Sequence, residues 1–144
     1  MAKLVGARAY NSGNISIPNV SATVITLDSE RFDTDNIHDT SSNTSRLTCK
    51  TAGKYLIAAT IQWAADADGE RLINIKLDGT TMIGRVRHSA NSDAASPTVQ
   101  NLAIIYDLSV NQYVEVWVYH NEGAALNVEN ETNSSPEFMM HRIG

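Results

Sequence analysis

Cysteine occurs once, at Cys49, so the chain cannot close a disulfide on itself. Small secreted domains often lean on such bonds, and their absence points to intracellular synthesis or to a core that holds unaided. The opening residues, MAKLVGARAYNSG, lack the apolar core of about 7–15 residues that a signal peptide needs. No stretch approaches the roughly 18 apolar residues of a membrane-spanning helix. Synthesis and folding in the cytoplasm is therefore the expectation. Charged residues make up only 19% of the chain, and the net charge is −5. A nucleic-acid binder would show a basic face. The densest basic group here is Arg85, Arg87 and His88, which reads as a solvated sheet edge.

Catalytic patterns are missing as well. His38, His88, His120 and His141 form no closely spaced ligand pair, and neither a Gly-x-Ser-x-Gly elbow nor a Gly-rich phosphate loop is present. Cys49 has no nucleophile's partner near it in sequence and reads as a buried structural thiol. No enzymatic activity is expected. Asp33, Asp35 and Asp39 in one polar loop, and Asp66, Asp68 and Glu70 in another, are oxygen-rich enough to consider calcium. Asp also favours turns, and neither group has EF-hand spacing, so no cofactor or metal is expected. Asn14, Asn19, Asn43, Asn130 and Asn133 open Asn-x-Ser/Thr sequons, which reflect a composition rich in Asn, Ser and Thr rather than glycosylation.

What is present is alternation. From Lys54 to Trp63, the residues Tyr55, Ile57, Ala59, Ile61 and Trp63 fall on one face, the period of a half-buried strand. Further strands are expected over 3–10, 14–17, 22–32 with a break near Asp28, 45–50, 70–77, 81–88, 99–108, 112–119, 125–128 and 137–143. Asp78-Gly79 marks a hairpin, because both residues tolerate positive φ. The stretches 33–44 and 89–97 read as long exposed loops. The whole of residues 1–144 reads as a single domain with Val24, Leu47, Tyr55, Ile57, Ile61, Ile73, Ile75, Leu77, Leu102, Ile104, Leu126, Val128 and Phe138 in its core. Val114, Val116 and Val118 join them, which leaves Tyr113, Trp117 and Tyr119 on the outer face of that strand.

The order of these segments resembles the complement component 1q globular-head and tumour necrosis factor superfamily. The closest stretch is His38-Asp39, then Leu47-Thr48-Cys49, then Gly53-Lys54-Tyr55, where relatives commonly read Tyr-Asp, Phe-Thr-Cys and Pro-Gly-x-Tyr. Ala7-Arg8-Ala9-Tyr10 is similar to the family's first strand, 22–28 to the strand before its Asn- and Asp-rich loop, Ile75 to Gly79 to its strand and turn, and Ser135 to Ile143 to its closing strand. Asn111-Gln112 stands where Gly-Asp is usual. The resemblance implies an all-β, ten-stranded jelly-roll β-sandwich that assembles as a homotrimer. No collagen-like stalk or membrane anchor accompanies it, so the family's secreted roles are not carried over.

The expected function is that of a non-enzymatic virion component, a bacteriophage capsid-decoration protein seated at three-fold positions on the virion surface. Its partners would be itself and the major capsid protein or another virion protein, with no nucleic acid and no membrane. Tyr55, Tyr113, Trp117 and Tyr119 are the expected trimer contacts. Ala2, Lys3, Leu4, Arg8 and Tyr10 are the expected partner contacts. The alternatives are a receptor- or glycan-binding fibre head, with the loops 33–44 and 89–97 meeting the ligand, or a secreted complement-like ligand.

Overall fold

The computed structural model describes residues 3–144, and among these there is no helix. The strands are β1 (Gly6–Tyr10), β2 (Ile15–Ile17), β3 (Thr23–Val24), β4 (Ser29–Asp33), β5 (Leu47–Thr48) and β6 (Gly53–Trp63), followed by β7 (Glu70–Leu77), β8 (Thr81–Ser89), β9 (Thr98–Leu108), β10 (Tyr113–His120), β11 (Leu126–Val128) and β12 (Glu137–Arg142). They form two antiparallel sheets. One runs β2-β11-β6-β12-β1-β4 with β9 on the other flank of β6; the other runs β3-β10-β7-β8 with β5 also on β10. Among the described residues there are twelve strands: each of the eleven expected stretches carries one, and 22–32 divides into two where the chain crosses between sheets, against the ten that the resemblance implies. Asp28 marks the break, accepting from the Ser12 amide and from the Ser12 and Ser29 hydroxyls.

The core forms where the inward rows of the two sheets meet. Tyr55, Ile57, Ala59, Ile61 and Trp63 from β6 are all buried, as the alternation predicts, and so are Ile73, Ile75, Val114, Val116 and Val118 from the opposite sheet. Val24 does not join them. It pairs with Trp117 on the outer face and is only half-buried, while Ile25 and Leu27 turn inward. A slip of one residue moves a side chain to the other face of a strand, so placing this short strand one position out exchanged the set. Ile104, also expected in the core, is partly buried against its margin.

Two glycines mark tight geometry. Asp78 and Gly79 both take positive φ (51° and 73°) between β7 and β8, as the hairpin signal requires. At Gly84, β8 comes so close to β9 that a Cβ would lie 3.0 Å from Ile104 Cγ2 and 3.5 Å from Leu102 Cδ2. The margins of the two sheets therefore meet along that side.

At the Trp63 end of the sandwich the core turns polar. Trp63 Nε1 donates to Gln100 Oε1 (2.9 Å), and Gln100 Nε2 donates to the Arg71 carbonyl (3.0 Å). Arg71 is fully buried. Its guanidinium donates to the carbonyls of Asp68 (2.8 Å) and Glu70 (3.2 Å) and to Asp66 Oδ1 (3.2 Å). His120 meets the Trp63 ring edge-on and donates from Nε2 to the Ile17 carbonyl (2.8 Å). A buried charge is tolerated only when its donors find acceptors, so the loop 64–69 is tied to Arg71. Arg71→Leu should lower unfolding stability by about 2–4 kcal/mol, since the carbonyls it serves lose their partner. Urea denaturation measures that loss, and hydrogen exchange should quicken in 64–69. A loss under about 1 kcal/mol would mean the network does not hold the loop.

Candidate binding surfaces

Tyr113, Trp117 and Tyr119 lie on the outer face of the five-stranded sheet, each with cationic neighbours. Arg46 Cζ stands 4.0 Å over the Tyr113 ring, and Lys76 Nζ stands 4.1 Å over Trp117. Such cation–π contacts are worth about 0.5–1 kcal/mol at exposed sites. Tyr119 lines a hollow with Arg85 and Arg87, where Arg87 pairs with Glu70 at 2.6 Å. Tyr55, expected beside them at a subunit contact, belongs to no surface. It is fully buried, and its hydroxyl donates to the Thr51 carbonyl (2.6 Å). Being in phase with Ile57 and Trp63 places it on the inner face of β6.

The expected partner contacts do not form a free arm. Ala2 lies outside the described residues. Lys3 pairs with Asp35 (2.6 Å), and Leu4 is 69% exposed. Arg8 and Tyr10 belong to β1, which is hydrogen-bonded on both sides, to β12 and β4. Arg8 Nη2 and Arg31 Nε both donate to Glu137 Oε1, at 3.1 and 3.0 Å, and the Arg31 guanidinium covers the Tyr10 ring at 3.7 Å. Glu137 is almost wholly buried under these two arginines, and its Oε2 has no hydrogen-bond partner among the described residues.

Beside this ionic group, the outer face of the seven-stranded sheet is apolar. Register fixes the arrangement: Phe32 lies opposite Arg8, Arg8 opposite Met139, Met139 opposite Ala58, and Ala58 opposite Ala103. One row along, His141 lies opposite Leu56 and Leu56 opposite Ile105. Phe32, Leu56 and Ile105 are 47%, 44% and 60% exposed. Between Phe32, Leu56, Ala58 and Met139 the face dips into an apolar hollow of about 270 Å³. Sequence reasoning passed over this face because it followed the inward phase of β6; the signal was that Leu56 and Ala58 make the other phase apolar too.

The two loops paired as one ligand surface in the fibre-head reading sit at opposite ends. Residues 89–97 lead into Thr98, which pairs with Trp63, whereas 34–51 packs at the Gly53 end through the Thr51–Asp35 hydrogen bond. β6 spans 11 residues, so its ends lie about 33 Å apart. The acidic residues are engaged in holding turns. Asp33 accepts from the amides of Asp35, Ile37 and His38, Asp39 from Ser41 and Ser42, and Asp66 from Asp68 and Arg71. No three His, Cys, Asp or Glu side chains converge as metal ligands among the described residues. Behind the loop 36–50 lies a polar cleft of about 400 Å³.

Among solved structures, Eiger TNF from S. frugiperda superposes with a TM-score of 0.72 at 12% identity, covering 99% of this chain and 94% of that one. Murine APRIL at pH 8.0 gives 0.72 at 11% identity, covering 98% and 100%. The fold is the TNF-type jelly roll. No family model matches the sequence, and no curated protein sequence matches it. The order and spacing of the strands thus place the jelly roll where residue identity has faded.

Asp35 and Asp28 tie segments distant in sequence, and their carboxyls bear on how the fold responds to acid. The Lys3 ammonium, aided by Thr51, holds the Asp35 carboxyl below the usual range against the opposing push of burial. At Asp28 burial pushes upward, but the bonds from Ser12 and Ser29 together outweigh it and the net direction is down. A depressed carboxyl contributes stability that is full above its unfolded value of about 3.9 and is lost as pH falls through the folded value. The urea midpoint should therefore hold near about pH 6 and drop below about pH 4, and Asp35→Asn should flatten that drop. An unchanged slope in the variant would remove Asp35 from the account.

Proposed function

We propose that the chain is a non-enzymatic binding module that assembles as a homotrimer through the outer face of its seven-stranded sheet. The observation that carries the reading is the apolar row Phe32, Met139, Ala58, Leu56 and Ile105, left open on a single chain. Five adjacent strands, at about 4.8 Å each, make a face about 19 Å across. That is the scale of a protein–protein interface, which buries about 800 Å² per partner. The second copy is the favoured occupant, since Glu137 already engages both arginines beside the patch and the sheet's TNF-type geometry suits closure about a three-fold axis.

In this reading the trimer sits on a virion surface and decorates a shell at three-fold positions, bridging neighbouring capsid subunits. Its binding free energy would oppose their separation by mass action. The match between module symmetry and shell symmetry supports the placement, as an argument from fold to role.

Light scattering after size exclusion should give about three times the 15.7 kDa chain mass. Leu56→Glu with Ile105→Glu should return the monomer mass while the β-rich circular dichroism persists, because both side chains point out of the core. A wild-type monomer would sink the assembly. Quantitative mass spectrometry of purified particles from the source of this sequence should find the chain in multiples of three per shell; its absence from particles would end the virion reading.

A further inference from the structure

Of the eleven lysines and arginines, Lys3, Arg8, Arg31, Arg71 and Arg87 each meet a carboxylate. Arg46 is not among them. No carboxylate lies within ion-pair distance of it and no acceptor meets its guanidinium among the described residues, although it is held in place over the Tyr113 ring. It lines the polar cleft behind 36–50, together with Lys50, Asn36, Asn43, Ser42 and Thr48. In a chain of net charge −5, two cations opening on one cleft stand against the overall field.

The cleft walls are built in advance. The Asp33 carboxylate accepts from the amides of Asp35, Ile37 and His38, and the Thr48 amide donates to the Ile37 carbonyl (2.8 Å). The His38 ring, buried beneath, bridges Glu30 Oε1 (3.0 Å) and the Thr44 carbonyl (2.9 Å). Asn36 and Asn43 take left-handed backbone geometry, with φ of 54° and 49°. A site ordered before binding spends less of its interaction energy on immobilising itself.

We propose that this cleft binds a carboxylate-bearing sugar. The planar guanidinium of Arg46 offers a fork of donors that matches a carboxylate, with Lys50 as a second charge. The amides of Asn36 and Asn43 and the hydroxyls of Ser42 and Thr48 both donate and accept, as sugar hydroxyls require. The volume of about 400 Å³ falls in the range of small-molecule sites. Asp39 also lines the cleft; its carboxylate, turned back on Ser41 and Ser42, still opposes a doubly charged phosphate ester more than a single carboxylate. The polar lining leaves nothing for a lipid chain. The inference goes beyond the assembly reading and does not depend on it.

The test titrates the intact protein with glucuronate and with glucose, which differ by a carboxylate in place of a hydroxymethyl group, and follows backbone amides by NMR. Glucuronate should shift amides of 36–50 with saturation, and glucose should bind at least about tenfold more weakly. Arg46→Ala should weaken glucuronate by at least about tenfold, and Arg46→Lys, which keeps the charge and loses the fork, should not restore it. Inorganic phosphate serves as the charge-only probe. Equal binding of glucose and glucuronate, no saturable shift in 36–50, unchanged affinity in both Arg46 variants, or phosphate binding as tightly as glucuronate would each overturn the proposal. The solution mass of the same samples reports separately on assembly.

Discussion

β6 is the strand that binds the seven-stranded sheet together. It is hydrogen-bonded along its whole length to β9 and on its other flank to β12, so its side chains have no freedom to rotate to a preferred side. Period-two geometry then sends Tyr55, Ile57, Ala59, Ile61 and Trp63 inward and Leu56 and Ala58 outward. The inner row builds the core against β7 and β10. The outer row is apolar at Leu56 and Ala58 and polar at Lys54, Thr60 and Gln62, so one strand contributes both to the core and to the open face proposed for assembly.

The two ends of the sandwich are finished by different chemistry. At the Trp63 end, aromatic and polar groups interlock: Trp63, Gln100, Arg71 and His120 each satisfy a neighbour, and backbone carbonyls accept most of the arginine's donors. At the Gly53 end, carboxylates cap turns and leave a polar cleft with cations on its rim. Buried polar groups cost free energy unless satisfied, and in the first arrangement the contacts close inward, with Arg71 Nε left without a partner among the described residues. The second leaves donors facing solvent, which is the condition for meeting a ligand.

Much of the fold was legible because it is local. The alternation of 54–63, the Asp78-Gly79 turn and the Val114–Val118 row each announce themselves within a few residues, and family-like spacing tied them into a jelly roll. What was not legible depends on pairing at a distance. Val24 and Ile25 are both apolar β-branched residues, so only the pairing with Trp117 decides which turns inward. Tyr55 was expected both in the core and at a subunit contact, and its phase with Ile57 and Trp63 puts it inside. Glu137 reads as an ordinary surface acid until β1 and β4 bring Arg8 and Arg31 over it. The cleft needs Arg46 and Tyr113, which lie far apart in the chain and meet only through the pairing of β5 with β10.

The close approach at Gly84 bears on what the protein does at high concentration. β8 and β9 are each paired on one side only within the described sheets, and both are long. Unpaired strand margins recruit other chains and seed fibrous aggregates. With hydrogen in place of a methyl at Gly84, the two margins shelter one another, and Ile104 and Leu102 pack where a bulkier residue would wedge the sandwich open. A single missing carbon atom at Gly84 thus sets how closely the two open margins can lie.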